Sequence, residues 1–206
     1  MKSGQRRVVI ENVSPEINAG AHAAKRTVGQ KFQVSADILA DGHDVLNAHI
    51  KYKFENAKSW RFAPMHLTNN DEFVGEFIAE KQGIYTYTVE AWVDYPLTWQ
   101  HNIERKIDDK QHVNVELLDG IQYLETALKS SPADSDYLND LIKAFQDDKA
   151  YNHAIDEAQS KKLHHIFDGN PTREFATTYD RVLKLEVDRT KALFSSWYEF
   201  FPRSTA

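Results

Sequence analysis

The chain holds 9 histidines, 31 acidic residues, 4 tryptophans and no cysteine, and these set the chemistry open to it. Thiol catalysis, zinc–thiolate sites and disulfides are excluded together by the missing cysteines. No Gly-rich phosphate loop, Gly-x-Ser-x-Gly elbow or His-Glu-x-x-His helix occurs. His164 and His165 are adjacent, and neighbouring helical side chains point about 100° apart, so they cannot share one face. The other histidines are scattered, and His112 and His153 are read as surface or structural residues. Asp108-Asp109 and Asp147-Asp148 lie in charge-mixed stretches, where a solvated helix face or helix end accounts for them. General acid–base work would require burial to split their pKa values. The reading is no catalytic residue, no metal ligand and no cofactor.

The tryptophans offer binding chemistry instead. An exposed indole plane matches the C–H face of a pyranose, so Trp60, Trp92 and Trp99 are candidates for sugar stacking or for an interface. Trp92 shares its alternation phase with Thr86, Thr88 and Glu90, so it is expected to point away from the main core, at an interface or under neighbouring helices. For Trp60, beside Arg61, core or edge packing explains the residue as well as ligand contact does.

The elements that must carry these side chains divide by period. Val8 to Val13 is β-branched and stops at Ser14-Pro15. Phe32, Val34, Ala36 and Ile38 alternate with polar residues, as do Ile50, Tyr52 and Phe54 after the Asp41-Gly42 turn. Two further strands are expected over Glu72 to Ala79 and Ile84 to Val93. Near Tyr95-Pro96 the period becomes helical. A weak stripe covers Trp99 to Lys110, and a clear one runs through Leu117, Ile121, Leu124 and Leu128. A third helix, with Ser135 as N-cap, carries Tyr137 to Phe145, and one more run spans Ala154 to Phe167 before Asp168-Gly-Asn-Pro171 stops it. Leu183, Leu185 and Val187 then alternate again.

A lone strand after a helical block cannot bury its own face. The expectation is therefore an antiparallel β-sandwich interrupted by a helical insert at roughly 96–180, with strand 181–188 closing the sandwich. Two sequential domains, with the last strand pairing elsewhere, are the alternative. The net charge of −6, from 25 basic and 31 acidic residues, argues against a general nucleic-acid binder. No apolar stretch reaches the ~18 residues of a membrane span, and Val8-Val9-Ile10 is too short for a signal-peptide core. A cytoplasmic protein is expected.

The final residues carry a resemblance. Ser196 to Ser204, with Trp197, Tyr198, Glu199, Phe200, Pro202 and Arg203, resembles the strand that opens the (β/α)8 barrel of glycoside hydrolase family 13. The chain as a whole is similar to the N-terminal region of the maltose-1-phosphate maltosyltransferases. The segments involved are Arg7 to Asn18, Lys25 to Gly29, Ala40 to Asp44, Tyr85 to Asp94 and Leu185 to Asp188. The likeness is looser through the helices.

This resemblance implies a bacterial enzyme that moves maltosyl units from α-maltose 1-phosphate onto an α-1,4-glucan by double displacement with retention. It implies an α+β fold, an immunoglobulin-like antiparallel β-sandwich with an inserted α-helical bundle, and a homodimer. The expected domains are 1–95 with 181–190 (sandwich), 96–180 (bundle) and 191–206 (first strand of a truncated catalytic barrel). The family's catalytic carboxylates come from later barrel strands, so none is assigned here. The orphan barrel strand is expected to be disordered or to pair with an exposed edge or a second copy. The resulting expectation is a non-catalytic accessory and dimerisation region, whose other partner is the barrel of the same polypeptide. A glucan-binding sandwich module of another amylase-superfamily enzyme is the alternative.

Overall fold

A computed structural model describes residues 7–194 and residue 199. Seven strands come first: β1 Val8–Ser14, β2 Ala24–Thr27, β3 Lys31–Ala40, β4 Leu46–Phe54, β5 Arg61–Asn69, β6 Glu72–Ile78 and β7 Gly83–Val93. Five helices follow: α1 Tyr95–Asp108, α2 Asn114–Ser130, α3 Ser135–Gln146, α4 Tyr151–Ala158 and α5 Lys161–Gly169. Two strands, β8 Thr177–Thr178 and β9 Leu183–Asp188, close the order. The fold is α+β. Its described residues divide into two compact units, one of 7–9, Leu39–Asn47 and Ala91–Thr177, the other of Ile10–Ile38, Ala48–Glu90 and 178–194.

The strands form one hydrogen-bonded sheet in the order β1-β3-β6-β5-β4-β7-β9-β2, with β8 on β7. Pairs β3–β6, β5–β6, β4–β5 and β7–β9 are antiparallel. The β2–β9 pair departs from the antiparallel expectation: β2 runs parallel to β9, Ala24 opposite Leu185 and Thr27 opposite Asp188. A strand far along the chain can meet an early one in either direction, because no hairpin constrains it. Alternation determines the buried face. Phe32, Val34, Ala36 and Ile38 of β3, Tyr85, Tyr87 and Val89 of β7, and Leu183, Leu185 and Val187 of β9 are all buried. Phe32 lies edge-on to Phe77 and Tyr87, at centroid distances of 5.4 and 5.0 Å.

Strands β2 and β5 carry no sequence signal. The first is four residues with two cations; the second contains Pro64, which ordinarily demotes a strand, and buries only Ala63 and Met65. Its neighbour β6 fits because Gly75 lacks a side chain: a Cβ there would stand 2.6 Å from the Pro64 carbonyl oxygen.

Asp94 starts the helical unit. Its carboxylate accepts from the Leu97 amide (3.1 Å) and from Asn47 Nδ2 (3.3 Å), and Pro96 stands in the first turn. Burial pushes the Asp94 carboxyl up from its ordinary pKa. Leu117 and Leu124 of α2, Leu138 and Leu141 of α3, and Leu163 and Phe167 of α5 meet in one apolar cluster. The α3 N-cap is Asp134, one residue before the expected Ser135, which occupies the first helical position. The apolar run from Ala154 to Phe167 is two helices, because Ser160 breaks it and caps α5 by accepting from the Leu163 amide at 3.1 Å. Among the described residues no helix is long and apolar enough to cross a membrane.

Trp99 occupies the middle of this cluster. Its indole Nε1 donates to the Glu116 carbonyl at 2.7 Å, and its ring lies 5.9 Å from Phe145 and 6.2 Å from Phe167. Gly120 gives α2 its approach to that ring, since a Cβ there would collide with the indole. Gly120→Ala is therefore expected to destabilise the protein by about 1–3 kcal/mol through overpacking, despite alanine's better helix propensity. Urea denaturation followed by far-UV circular dichroism measures this. A stability gain would show that the indole can move aside at no cost.

Candidate functional site

Charged side chains tie the segments that carry the family resemblance to one another and to the stretch before β9. Arg7 reaches Asp41 at 3.1 Å and Asp44 at 2.6 Å. In the sheet unit, Glu16 accepts from the Tyr179 hydroxyl at 2.6 Å and pairs with Arg181. Lys25 lies 3.3 Å from Glu186 across the parallel β2–β9 pair. These contacts hold the chain in register. They place no nucleophile beside a base.

The most concentrated polar constellation stands on the face of the sheet opposite Ile50 and Tyr52. Period two puts His49, Lys51 and Lys53 of β4 there, and the register sets Pro64 opposite His49 and Phe62 opposite Lys51. Glu90 of β7 is the centre: it receives His49 Nε2 at 2.9 Å, Lys51 Nζ at 2.8 Å and the Thr178 hydroxyl at 3.1 Å. These three donors, His49 foremost, overcome burial and hold the Glu90 carboxyl at about 2. His49 is itself buried, and its ring lies 4.5 Å from that of Phe62. A carboxylate so stabilised is a poor proton carrier near neutrality, so the arrangement builds structure and a charged surface instead of acid–base catalysis.

Trp60 is half-buried at the rim of this face, with Lys53 Nζ 5.0 Å and Lys51 Nζ 5.8 Å from its ring centroid. Of the three tryptophans expected to stack or to form an interface, it alone is not buried. Trp99 is 8% exposed inside the helical cluster and Trp92 is 2% exposed, with Arg173 5.4 Å over its ring. Their area is spent on packing, which leaves neither indole plane open for a sugar to stack on. Glu199 is exposed; Trp197, Tyr198, Phe200, Pro202 and Arg203 lie outside the described residues.

The His164-His165 pair divides as its spacing requires. His164 Nδ1 meets Gln100 Oε1 at 3.0 Å, while Gln100 Nε2 donates to the carbonyls of Ala158 (3.0 Å) and Ser160 (3.3 Å). His165 is exposed. Among the described residues no group of three or more His, Asp or Glu could hold a metal ion. The alternation of β4 and β7 contains His49 and Glu90, but their meeting depends on β4 lying beside β7, which no local pattern states.

Sheet and helical block together define an α+β protein. Residues 6–189 match the family model described as alpha-1,4-glucan:maltose-1-phosphate maltosyltransferase, domain N/S, and the chain belongs to that family. It is 39% identical to the maltosyltransferase of that name from Myxococcus xanthus over 96% of this chain, and 36% identical to that of Chlorobaculum tepidum over 98%. It spans 31% and 30% of those two relatives' lengths.

The Glu90 cluster yields a pH test. The folded pKa is depressed, so the stabilisation is present above the ordinary carboxylate value of 4.5 and is lost as pH falls towards about 2. Glu90→Gln is expected to cost roughly 3 kcal/mol at neutral pH, with the gap to the parent closing through that acidic window. Urea melts at a series of pH values report it; a gap independent of pH would assign the loss to packing.

Proposed function

We propose that this chain is the non-catalytic N-terminal accessory and dimerisation region of an enzyme that transfers maltosyl units from maltose 1-phosphate to an α-1,4-glucan. The observation that carries this reading is the family match over residues 6–189 in a chain that spans about 30% of its relatives' length. In this reading residues 1–95 with 181–190 are an immunoglobulin-like sandwich, 96–180 an inserted helical bundle, and 191–206 the first strand of the catalytic barrel. The element order supports it, since β9 returns after five helices to pair with β7. The chain pairs with a second copy, works beside the barrel of its own polypeptide, and resides in the cytoplasm, which the absence of cysteine suits.

The tests are direct. The 206-residue chain is expected to sediment as a dimer and to show no maltosyl transfer from maltose 1-phosphate, whereas the full polypeptide is active. A strict monomer at high concentration would remove the dimerisation role, and transfer by the chain alone would remove the accessory one. The partial exposure of Trp60 favours a second reading, a glucan-binding module. Millimolar maltoheptaose would then quench tryptophan emission, and an unchanged spectrum rejects that reading.

A further inference from the structure

The β4–β5 and β6–β7 loops, both in the sheet unit, border a cleft of about 330 Å³. Its lining includes three cations, Lys53, Arg61 and Lys81, one carboxylate, Glu80, and the rings of Phe54 and Tyr85. Arg61 pairs with Glu80 at 3.3 Å. Among the described residues Lys53 and Lys81 have no carboxylate partner; each lies by a ring, Lys53 5.0 Å from Trp60 and Lys81 5.8 Å from Phe54. Glu55 packs at Gly83 just outside the lining, and cations still outnumber acids here, in a chain of net charge −6.

The walls are fixed in advance. The Glu55 amide donates to the Ile84 carbonyl at 2.7 Å, tying the β4–β5 loop to the start of β7, and the Lys81 amide donates to the Tyr85 hydroxyl at 3.0 Å. Gly83, at φ +135°, lies so close to Phe54 that a Cβ would stand 2.8 Å from the ring. Little ordering is left for a ligand to impose.

We propose that this cleft binds a small phosphomonoester, its phosphate among Lys53, Arg61 and Lys81 and its ring against Phe54. Three donors from separate segments suit the three terminal oxygens of a phosphate better than the two of a carboxylate. The volume lies at the small end of the range for ligand pockets, about 300–1,000 Å³. A nucleic acid would need a longer basic track than these residues form. Sugar phosphates and nucleoside monophosphates share this chemistry. The inference stands on the cleft alone and is independent of the family reading.

The 206-residue chain is titrated with glucose 1-phosphate, AMP, inorganic phosphate and neutral maltose, by calorimetry and by tryptophan emission. One or both esters are expected to saturate in the millimolar range, and which one does identifies the ring. Lys53→Ala and Lys81→Ala are each expected to weaken binding about tenfold with thermal melting unchanged, and Lys184→Ala, on β9, to leave it intact. Failure of both esters to bind overturns the proposal, as does full affinity in a Lys53→Ala/Lys81→Ala double variant. Maltose binding as tightly as glucose 1-phosphate overturns the role of charge. Inorganic phosphate binding as tightly as the esters overturns the role of the ring.

Discussion

Strand β9 must find hydrogen bonds on both of its edges, and much of the sheet is arranged to supply them. Its six residues take β7 antiparallel on one side and β2 parallel on the other, so Leu185 stands between Tyr85 and Ala24. The approach to it is secured separately. Thr88 Oγ1 donates to the Arg181 carbonyl at 2.9 Å, the Tyr179 amide donates to the Val89 carbonyl at 2.8 Å, and Glu16 holds Tyr179 and Arg181. With the ends of the excursion held this firmly, its length matters little, since each doubling of a loop adds only about 0.6 kcal/mol of closure entropy. Five helices can be carried between β7 and β9 at small topological expense.

The same requirement explains the outward face of β7. Thr88 and Glu90 occupy alternation positions that suggest solvent, yet both are engaged by the segment arriving at Thr178–Arg181. Glu90 then draws His49 and Lys51 from β4 into a semi-buried ion cluster, and the lysine stems and Trp60 ring cover its edge. A group of this kind disfavours wrong registers: a one-residue slip of β4 would send His49 and Lys51 to the apolar face.

How much of this the sequence discloses follows from range. The alternation of β3, β6, β7 and β9 and the stripes of α2 and α3 are local, and they read correctly. Strand β5 was illegible because Pro64 and its polar neighbours mask a strand made by pairing on both sides, and β2 because four residues cannot display a period. The break at Ser160 is a matter of one hydroxyl reaching one amide. At the site, Trp60 was legible as a candidate, whereas the burial of Trp92 and Trp99 depends on neighbours distant in the chain. The meeting of His49 with Glu90 required knowing that β4 and β7 adjoin, which is topology and not composition.

Gln100 carries a consequence of another sort. Because its amide nitrogen serves two main-chain carbonyls, its oxygen is obliged to face His164. An oxygen can only accept, so the imidazole must keep a hydrogen on Nδ1 and, when neutral, shows its lone pair at Nε2. A side chain 64 residues away in sequence thereby fixes the tautomer of a surface histidine, and with it which nitrogen that ring offers to the outside.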